Sequence, residues 1–174
     1  MNKDHKISQI NRRKFMKQSA KIAAAGILMN RLPASTRKQV SHEGEIKVAL
    51  VGCGGRGTGA AAQAILADEN VRLVAMADVF EGKLASSHNS LSKRHGKEKV
   101  DVPPERRYLG FDGYKKAMDN LDAGDIAIFT TPPGFRWVFF DYAVKKGLNV
   151  FMEKPVTADG YGTKKILEIN KIAK

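Results

Sequence analysis

The chain has 174 residues, 43% of them hydrophobic and 28% charged, which is typical of one soluble globular domain or slightly more. Its net charge of +12 would suit a nucleic-acid-binding protein, but residues 1–40 carry +9 of it and residues 41–174 only +3, which argues against a basic binding domain. The single cysteine, Cys53, excludes an internal disulfide bond and a cysteine-based zinc cluster, and we predict no metal site.

Residues 1–34 are predicted to form an export signal. The segment NRRKFMK at 11–17 resembles the twin-arginine pattern S/T-R-R-x-F-L-K, apart from its first residue and a methionine in place of leucine. The apolar stretch at 22–29 is far shorter than the ~20 residues of a membrane-spanning helix. We therefore expect export to the periplasm by the twin-arginine (Tat) machinery, cleavage after Ala34 and a polar linker over 35–45. The alternative is a basic amphipathic helix that stays on the protein and retains it at the membrane.

A glycine-rich turn after the first predicted strand indicates a dinucleotide site. Residues 46–51, IKVALV, favour a buried parallel strand, and the next six, GCGGRG, match G-x-G-x-x-G before a helix-forming segment at 60–66. The first glycine permits a tight turn, the second allows close approach of a pyrophosphate, and the third lets helix and strand pack. The helix N-terminus would present N–H groups to the phosphates, and an ordinary flexible loop is the alternative. The candidate cofactor-binding residues here are Gly52, Gly54, Gly55, Arg56 and Gly57.

A second strand is predicted over residues 71–77, and it ends on Asp78. Asp78 follows the third glycine by 21 residues, close to the ~20 expected for the acid that binds an adenosine ribose. Its carboxylate would accept hydrogen bonds from both ribose hydroxyls and repel a 2′-phosphate. No arginine follows at 79 or 80, so the cofactor prediction is NAD in preference to NADP. An aspartate that caps the next helix is the alternative, and both roles are compatible.

The remaining chain alternates helices with strands, which is typical of a doubly wound parallel α/β sheet. Asp112 is predicted to cap a helix, and a buried stripe is expected on a later helix from Val138, Tyr142 and Val144 with Phe139 or Phe140. The basic cluster at 93–99 has no interleaved aromatic residues, so no nucleic-acid partner is expected. Helices are predicted over residues 81–95, 112–121, 137–146 and 163–174, and strands over 107–109, 125–130 and 148–152.

Two further strand ends complete a recognisable order of motifs. The fourth strand stops at Thr131-Pro132, and Glu153-Lys154-Pro155 follows the fifth. Together with the glycine turn and Asp78, this order resembles the Gfo/Idh/MocA family of glucose–fructose oxidoreductase and inositol dehydrogenase relatives. The likeness covers roughly residues 45–174 and the family's N-terminal NAD(P)-binding Rossmann domain. The triplet E-K-P is its most specific element.

The resemblance also implies roles for individual residues. Glu153 and Lys154 would border the nicotinamide ribose, with Lys154 hydrogen-bonding the reacting hydroxyl as general acid or electrostatic stabiliser. Pro155 would shape the turn that follows. Many members carry a histidine four residues after Pro132, where this chain has Arg136, a further candidate cofactor-binding residue. A surface ion pair between Glu153 and Lys154 is the structural alternative.

The resemblance implies an oxidoreductase that transfers hydride between NAD and a sugar or cyclitol and that forms a homo-oligomer at full length. Two alternatives stay open: an exported NAD-dependent glycoside hydrolase that oxidises its sugar transiently, and a catalytically silent NAD-binding fragment. The family's second, substrate-binding domain has no counterpart in these 174 residues. We therefore expect residues 46–174 to form an incomplete Rossmann domain that is inactive alone, binds NAD weakly and tends to associate.

Overall fold

The computed structural model describes residues 44–173 and shows a five-stranded, wholly parallel sheet. The strand order is β3-β2-β1-β4-β5, so the first strand in the chain lies at the centre. Ile46 pairs with Val71 on one side of β1, and Val48 pairs with Ile126 on the other. The strands are β1 (Ile46–Val51), β2 (Val71–Asp78), β3 (Arg107–Leu109), β4 (Ile126–Phe129) and β5 (Asn149–Met152).

Helices cover both faces of this sheet. On one face Leu50 and Met76 pack against the first two helices, and on the other Val51 and Phe129 pack against the third and fourth. The central strands are buried on both sides, as expected for β-branched and apolar runs in a parallel sheet. The helices are α1 (Gly55–Ala67), α2 (Glu81–His95), α3 (Gly113–Met118), α4 (Arg136–Lys145) and α5 (Gly160–Ile172), with short 3-10 turns at Pro104–Arg106 and Pro133–Phe135. The predicted doubly wound α/β fold is therefore confirmed.

Two helices differ from a predicted end by three residues, and α4 differs by one residue at each end. The helix expected over 112–121 is only α3; Asp112 lies at its N-cap position as predicted, but its side chain makes no capping hydrogen bond. The last helix begins at Gly160, three residues earlier than predicted, because the Asp159 carboxylate accepts a hydrogen bond from the Gly162 N–H and caps it. Of the two phenylalanines proposed for the buried stripe of α4, Phe139 is the buried one.

The predicted export signal over residues 1–34 lies outside the described residues, as does most of the predicted linker over 35–45. None of the helices formed within residues 44–173 has the length and apolar character needed to cross a bilayer.

Candidate dinucleotide site

The predicted site residues of the described chain gather at one edge of the sheet. All five strands run parallel, so their carboxyl ends meet there. Strands β2 and β3 are added on one side of β1, and β4 and β5 on the other side, so the strand order switches at the gap between β1 and β4. Ligands of open α/β sheets bind in the crevice at such a switch point. The glycine turn follows β1, Asp78 ends β2, Thr131 follows β4, and Glu153 follows β5.

The turn after β1 requires glycine at two of its positions. Gly52 has a φ of +97°, and a Cβ on it would lie 2.8 Å from the backbone nitrogen of Thr131. A Cβ on Gly57 would lie 2.5 Å from Thr130 Oγ1 and closer still to the carbonyl oxygen of Gly52. Gly52 therefore makes the turn, and Gly57 lets α1 approach the sheet. No atom lies within 4 Å of a Cβ built on Gly54 or Gly55, so the fold itself does not require glycine there.

Asp78 joins this turn to the neighbouring strand. Its Oδ2 accepts a hydrogen bond of 2.6 Å from the Cys53 N–H, inside the glycine turn. Its Oδ1 accepts one of 2.9 Å from the Phe80 N–H, at the start of α2. Phe80 and not Asp78 is the N-cap residue of α2, and no side chain caps this helix, so the capping role considered as an alternative is not found. Each carboxylate oxygen of Asp78 keeps acceptor capacity for a further donor.

Beside Asp78 lies a cavity of about 360 Å³, within the size range of small-molecule sites. Its walls are mainly apolar and come from the ends of β1, β2 and β4, with Phe80, Phe111 and Phe135 among them. The rings of Phe111 and Phe135 have centroids 6.2 Å apart. Thr131 also lines the cavity, and its hydroxyl is buried with no hydrogen-bond partner among the described residues. An apolar slot with one unsatisfied hydroxyl and a carboxylate at its edge suits a planar heterocycle that carries a ribose.

Arg56 and Glu153 form an ion pair on the β5 side of the glycine turn. Arg56 Nε donates to Glu153 Oε2 at 2.6 Å, which joins the first turn of α1 to the end of β5. The hydrogen bond from Arg56 is the main cause that lowers the pKa of Glu153. Glu153 therefore pairs with Arg56, and the ion pair with Lys154 considered as an alternative does not form. The Lys154 side chain is exposed at the same edge.

Arg136, the first residue of α4, forms hydrogen bonds to the loops after β4 and β5. Its side chain is buried and donates through Nε to the carbonyl oxygen of Thr131 at 2.8 Å. Its Nη1 donates to the carbonyl oxygens of Glu153 and Pro155. Burial lowers the pKa of Arg136 from its ordinary value. The guanidinium thus positions the segment Glu153–Pro155, in which the Lys154–Pro155 peptide bond is cis.

Gly54, Gly55 and Gly57 lie in the glycine turn and at the start of α1, and the other predicted residues fall into two groups. Gly52, Asp78, Thr131 and Pro132 line the cavity, whereas the other group consists of Arg56, Arg136, Glu153, Lys154 and Pro155 around β5. Sequence reasoning did not identify the aromatic walls or Lys83, which lines the same cavity. The aromatic walls could have been found from an aromatic residue close to a strand end, because Phe80 and Phe111 each lie two residues after the end of β2 or β3.

No family model matches the chain, and no curated protein matches it. Among solved structures, a myo-inositol 2-dehydrogenase from Lactobacillus plantarum is 24% identical, with a TM-score of 0.57 over 73% of this chain and 33% of its own. The WlbA dehydrogenase from Bordetella pertussis, solved with NADH and UDP-GlcNAcA, is 20% identical, with a TM-score of 0.54 over 75% and 33%. A 3-ketoreductase from Actinomadura kijaniata, solved with NADP and TDP-benzene, is 20% identical, with a TM-score of 0.50 over 73% and 34%. These likenesses establish a Rossmann-like fold, and this chain spans about a third of the length of each structure.

Proposed function

We propose that this chain binds NAD and serves an oxidoreductase of the Gfo/Idh/MocA type that transfers hydride between NAD and a sugar or cyclitol. The observation that carries the proposal is Asp78, which lies on the wall of an apolar cavity and is hydrogen-bonded to a glycine turn of G-x-G-x-x-G spacing. Inositol and sugar dehydrogenases among the structural neighbours support the substrate class. The export signal over residues 1–34, the linker over 35–45, the domain from residue 46 onward and a homo-oligomeric assembly are further proposals from the sequence.

The residues present fit a dinucleotide at three places. The cavity beside Phe80 and Phe111 would hold the adenine, and the spare acceptor capacity of the Asp78 carboxylate would bind the ribose hydroxyls. The pyrophosphate would lie at the N-terminus of α1, where the helix dipole favours anions and Gly54 leaves open space for close approach. Arg56 lies in the same first turn and would supply a cation to the phosphates.

The chemistry would take place near the segment that Arg136 positions. When bound, the nicotinamide supplies the hydride acceptor or donor. As general acid, Lys154 would give its Nζ proton to the carbonyl oxygen of a keto sugar as that carbon is reduced, and in the oxidation direction its neutral amine would take the hydroxyl proton as the carbon–hydrogen bond breaks. Glu153 would stay ionised beside Arg56, because their hydrogen bond lowers the pKa of that carboxyl group.

Calorimetric titration with NAD tests the binding proposal. Asp78→Ala should lower the NAD affinity about tenfold or more, because it removes a charged hydrogen-bond acceptor for the ribose. Lys154→Ala and the control Asp68→Ala, at a half-buried residue that does not line the cavity, should bind NAD within about twofold of the parent, a change below ~0.5 kcal/mol. Thermal unfolding of each variant would separate lost affinity from lost fold, because Asp78 also holds the Cys53 N–H. An Asp78→Ala variant that is folded and binds NAD as tightly as the parent would contradict the ribose assignment.

A turnover assay tests the proposed substrate class, and it uses the protein purified from its natural host. NADH absorbance would be followed over a panel of sugars and cyclitols, and oxidation of at least one of them is expected. Lys154→Ala should abolish that turnover while NAD binding persists. Release of an aglycone from glycosides without net NADH would instead identify the hydrolase alternative.

A further inference from the structure

The ion pair between Arg56 and Glu153 has one member that the fold holds in place and one that is mostly surrounded by solvent. The Glu153 N–H donates to the Phe129 carbonyl oxygen at 3.0 Å, and its own carbonyl oxygen accepts from the buried Arg136. The Glu153 side chain is 13% exposed, whereas the Arg56 side chain is 58% exposed. Glu153 is therefore fixed by the sheet and by α4, and its carboxylate restricts where the Arg56 guanidinium lies.

The contact between these two side chains leaves most of the arginine donors available. Arg56 donates to Glu153 through Nε at 2.6 Å, and its two terminal nitrogens make no hydrogen bond within residues 44–173. A guanidinium carries five N–H donors in a planar fork, so a carboxylate bound at Nε leaves terminal N–H groups for a second anion. Arg56 can therefore be oriented by Glu153 and bind a ligand at the same time.

The start of α1, which carries this guanidinium, suits an anion. Arg56 is the second residue of the helix, no acidic residue lies in the first turn, and no side chain caps the N-terminus. The first N–H groups of a helix lack partners inside it, and the helix dipole favours negative charge there. A pyrophosphate at this position would accept from these N–H groups and from the terminal nitrogens of Arg56.

Resting on the proposed function, we propose that Glu153 is a positioning residue, which orients the Arg56 guanidinium so that its terminal nitrogens bind the pyrophosphate of the dinucleotide. The family resemblance implies that Glu153 borders the nicotinamide ribose, whereas this role connects it to the phosphates through Arg56. Because the ion pair restricts the arginine side chain before the cofactor arrives, less side-chain entropy is lost on binding.

Calorimetric titration with NAD compares two variants of Glu153 that carry the same charge. Glu153→Gln keeps an oxygen that can accept from Arg56 Nε, whereas Glu153→Ala has no acceptor. Glu153→Ala should therefore bind NAD at least about fivefold more weakly than Glu153→Gln. In an Arg56→Ala background the two substitutions should differ by less than about twofold. Adenosine has no phosphate, and the two Glu153 variants should bind it equally within about twofold.

Glu45 offers a matched control at the opposite edge of the sheet. It directly precedes β1, and its Oε1 lies 3.1 Å from Arg72 Nε, so the same two groups are paired there. Glu45→Gln and Glu45→Ala should bind NAD equally within about twofold. Thermal unfolding would show which variants are folded.

A second variant leaves the loop after β5 unaltered and keeps the test decisive if Glu153→Ala does not fold. Arg56→Lys retains the positive charge but has no planar fork with which to bind the carboxylate and the pyrophosphate together. It should weaken NAD binding at least about fivefold.

Three results would overturn this role for Glu153, and they are distinguishable. If Glu153→Ala binds NAD as tightly as Glu153→Gln or more tightly, or Arg56→Lys binds it as the parent does, the carboxylate does not orient Arg56 for the phosphates. If the difference between the Glu153 variants persists in the Arg56→Ala background or extends to adenosine, Glu153 acts through the fold of its loop. If the folded parent does not bind NAD, the proposed function fails together with this inference.

Discussion

Replacing Gly57 with alanine should break the packing of α1 against the sheet. The new Cβ would lie 2.5 Å from Thr130 Oγ1, whereas real Cβ atoms essentially never approach within 3.0 Å. Thr130 cannot move away cheaply, because its hydroxyl donates to the Gly52 carbonyl at 2.6 Å. The helix must therefore shift outward and loosen its buried residues, which include Ala61 and Ile65. We expect a loss of about 3 kcal/mol in the free energy of unfolding, the upper end of the usual cost of overpacking.

Gly59 provides the matched control, because it lies two residues further along the same helix and a Cβ added to it would meet no atom within 4 Å. Gly59→Ala should raise the free energy of unfolding by up to about 1 kcal/mol, the usual gain from replacing a glycine inside a helix. Urea denaturation followed by circular dichroism would measure both variants, with an expected gap of about 4 kcal/mol. A Gly57→Ala variant within about 0.5 kcal/mol of the parent would refute the packing argument.

Three further predictions concern buried or paired groups. Arg136→Met leaves three carbonyl oxygens without their donor and should lower the free energy of unfolding by about 3 kcal/mol in the same assay, with Arg136→Lys recovering only part. Tyr142 donates to Asp119 at 2.7 Å, and this bond is the main cause that raises the pKa of Tyr142 to about 12. Its contribution to stability is therefore complete below the ordinary tyrosine value of 10.0 and lost as the pH rises through about 12, and Tyr142→Phe should remove the late step from an ultraviolet titration. Burial raises the pKa of the Cys53 thiol, so a thiol reagent should label it only after unfolding, and rapid labelling of the native chain would contradict this.

The sequence predicted the sheet better than the helix ends. Strands β1 and β2 are apolar runs bounded by a glycine and an aspartate, so their limits could be derived from composition. Helix α3 stops at Met118 because the Asn120 side chain donates to the carbonyl oxygen of Lys116, a competition that periodicity does not show. The start of α5 could not be predicted from helix propensity, because Gly160 and Gly162 are poor helix formers. The hydrogen bond from the Gly162 N–H to the Asp159 side chain stabilises the helix there in spite of their low propensity.

The candidate site was predictable only where its residues form a motif. Spacing identified the glycine turn and Asp78, because the chemistry of a strand-to-helix turn is local in the sequence. The pairing of Arg56 with Glu153 joins residues 97 positions apart and follows from the order of the strands. The bonds of Arg136 go to backbone carbonyl oxygens, which every residue carries, so no pattern of residue types could indicate them.

The central place of β1 also has a consequence for the order in which the chain folds. Its pairing with β2 closes a loop of 25 residues, Ile46 to Val71, whereas its pairing with β4 must join Val48 to Ile126, 78 residues apart. Chain entropy opposes the longer closure more strongly, so β1, α1 and β2 should assemble before β4 docks. The glycine turn would then form early, and the crevice that it shares with β4 would be the last part of the sheet to close.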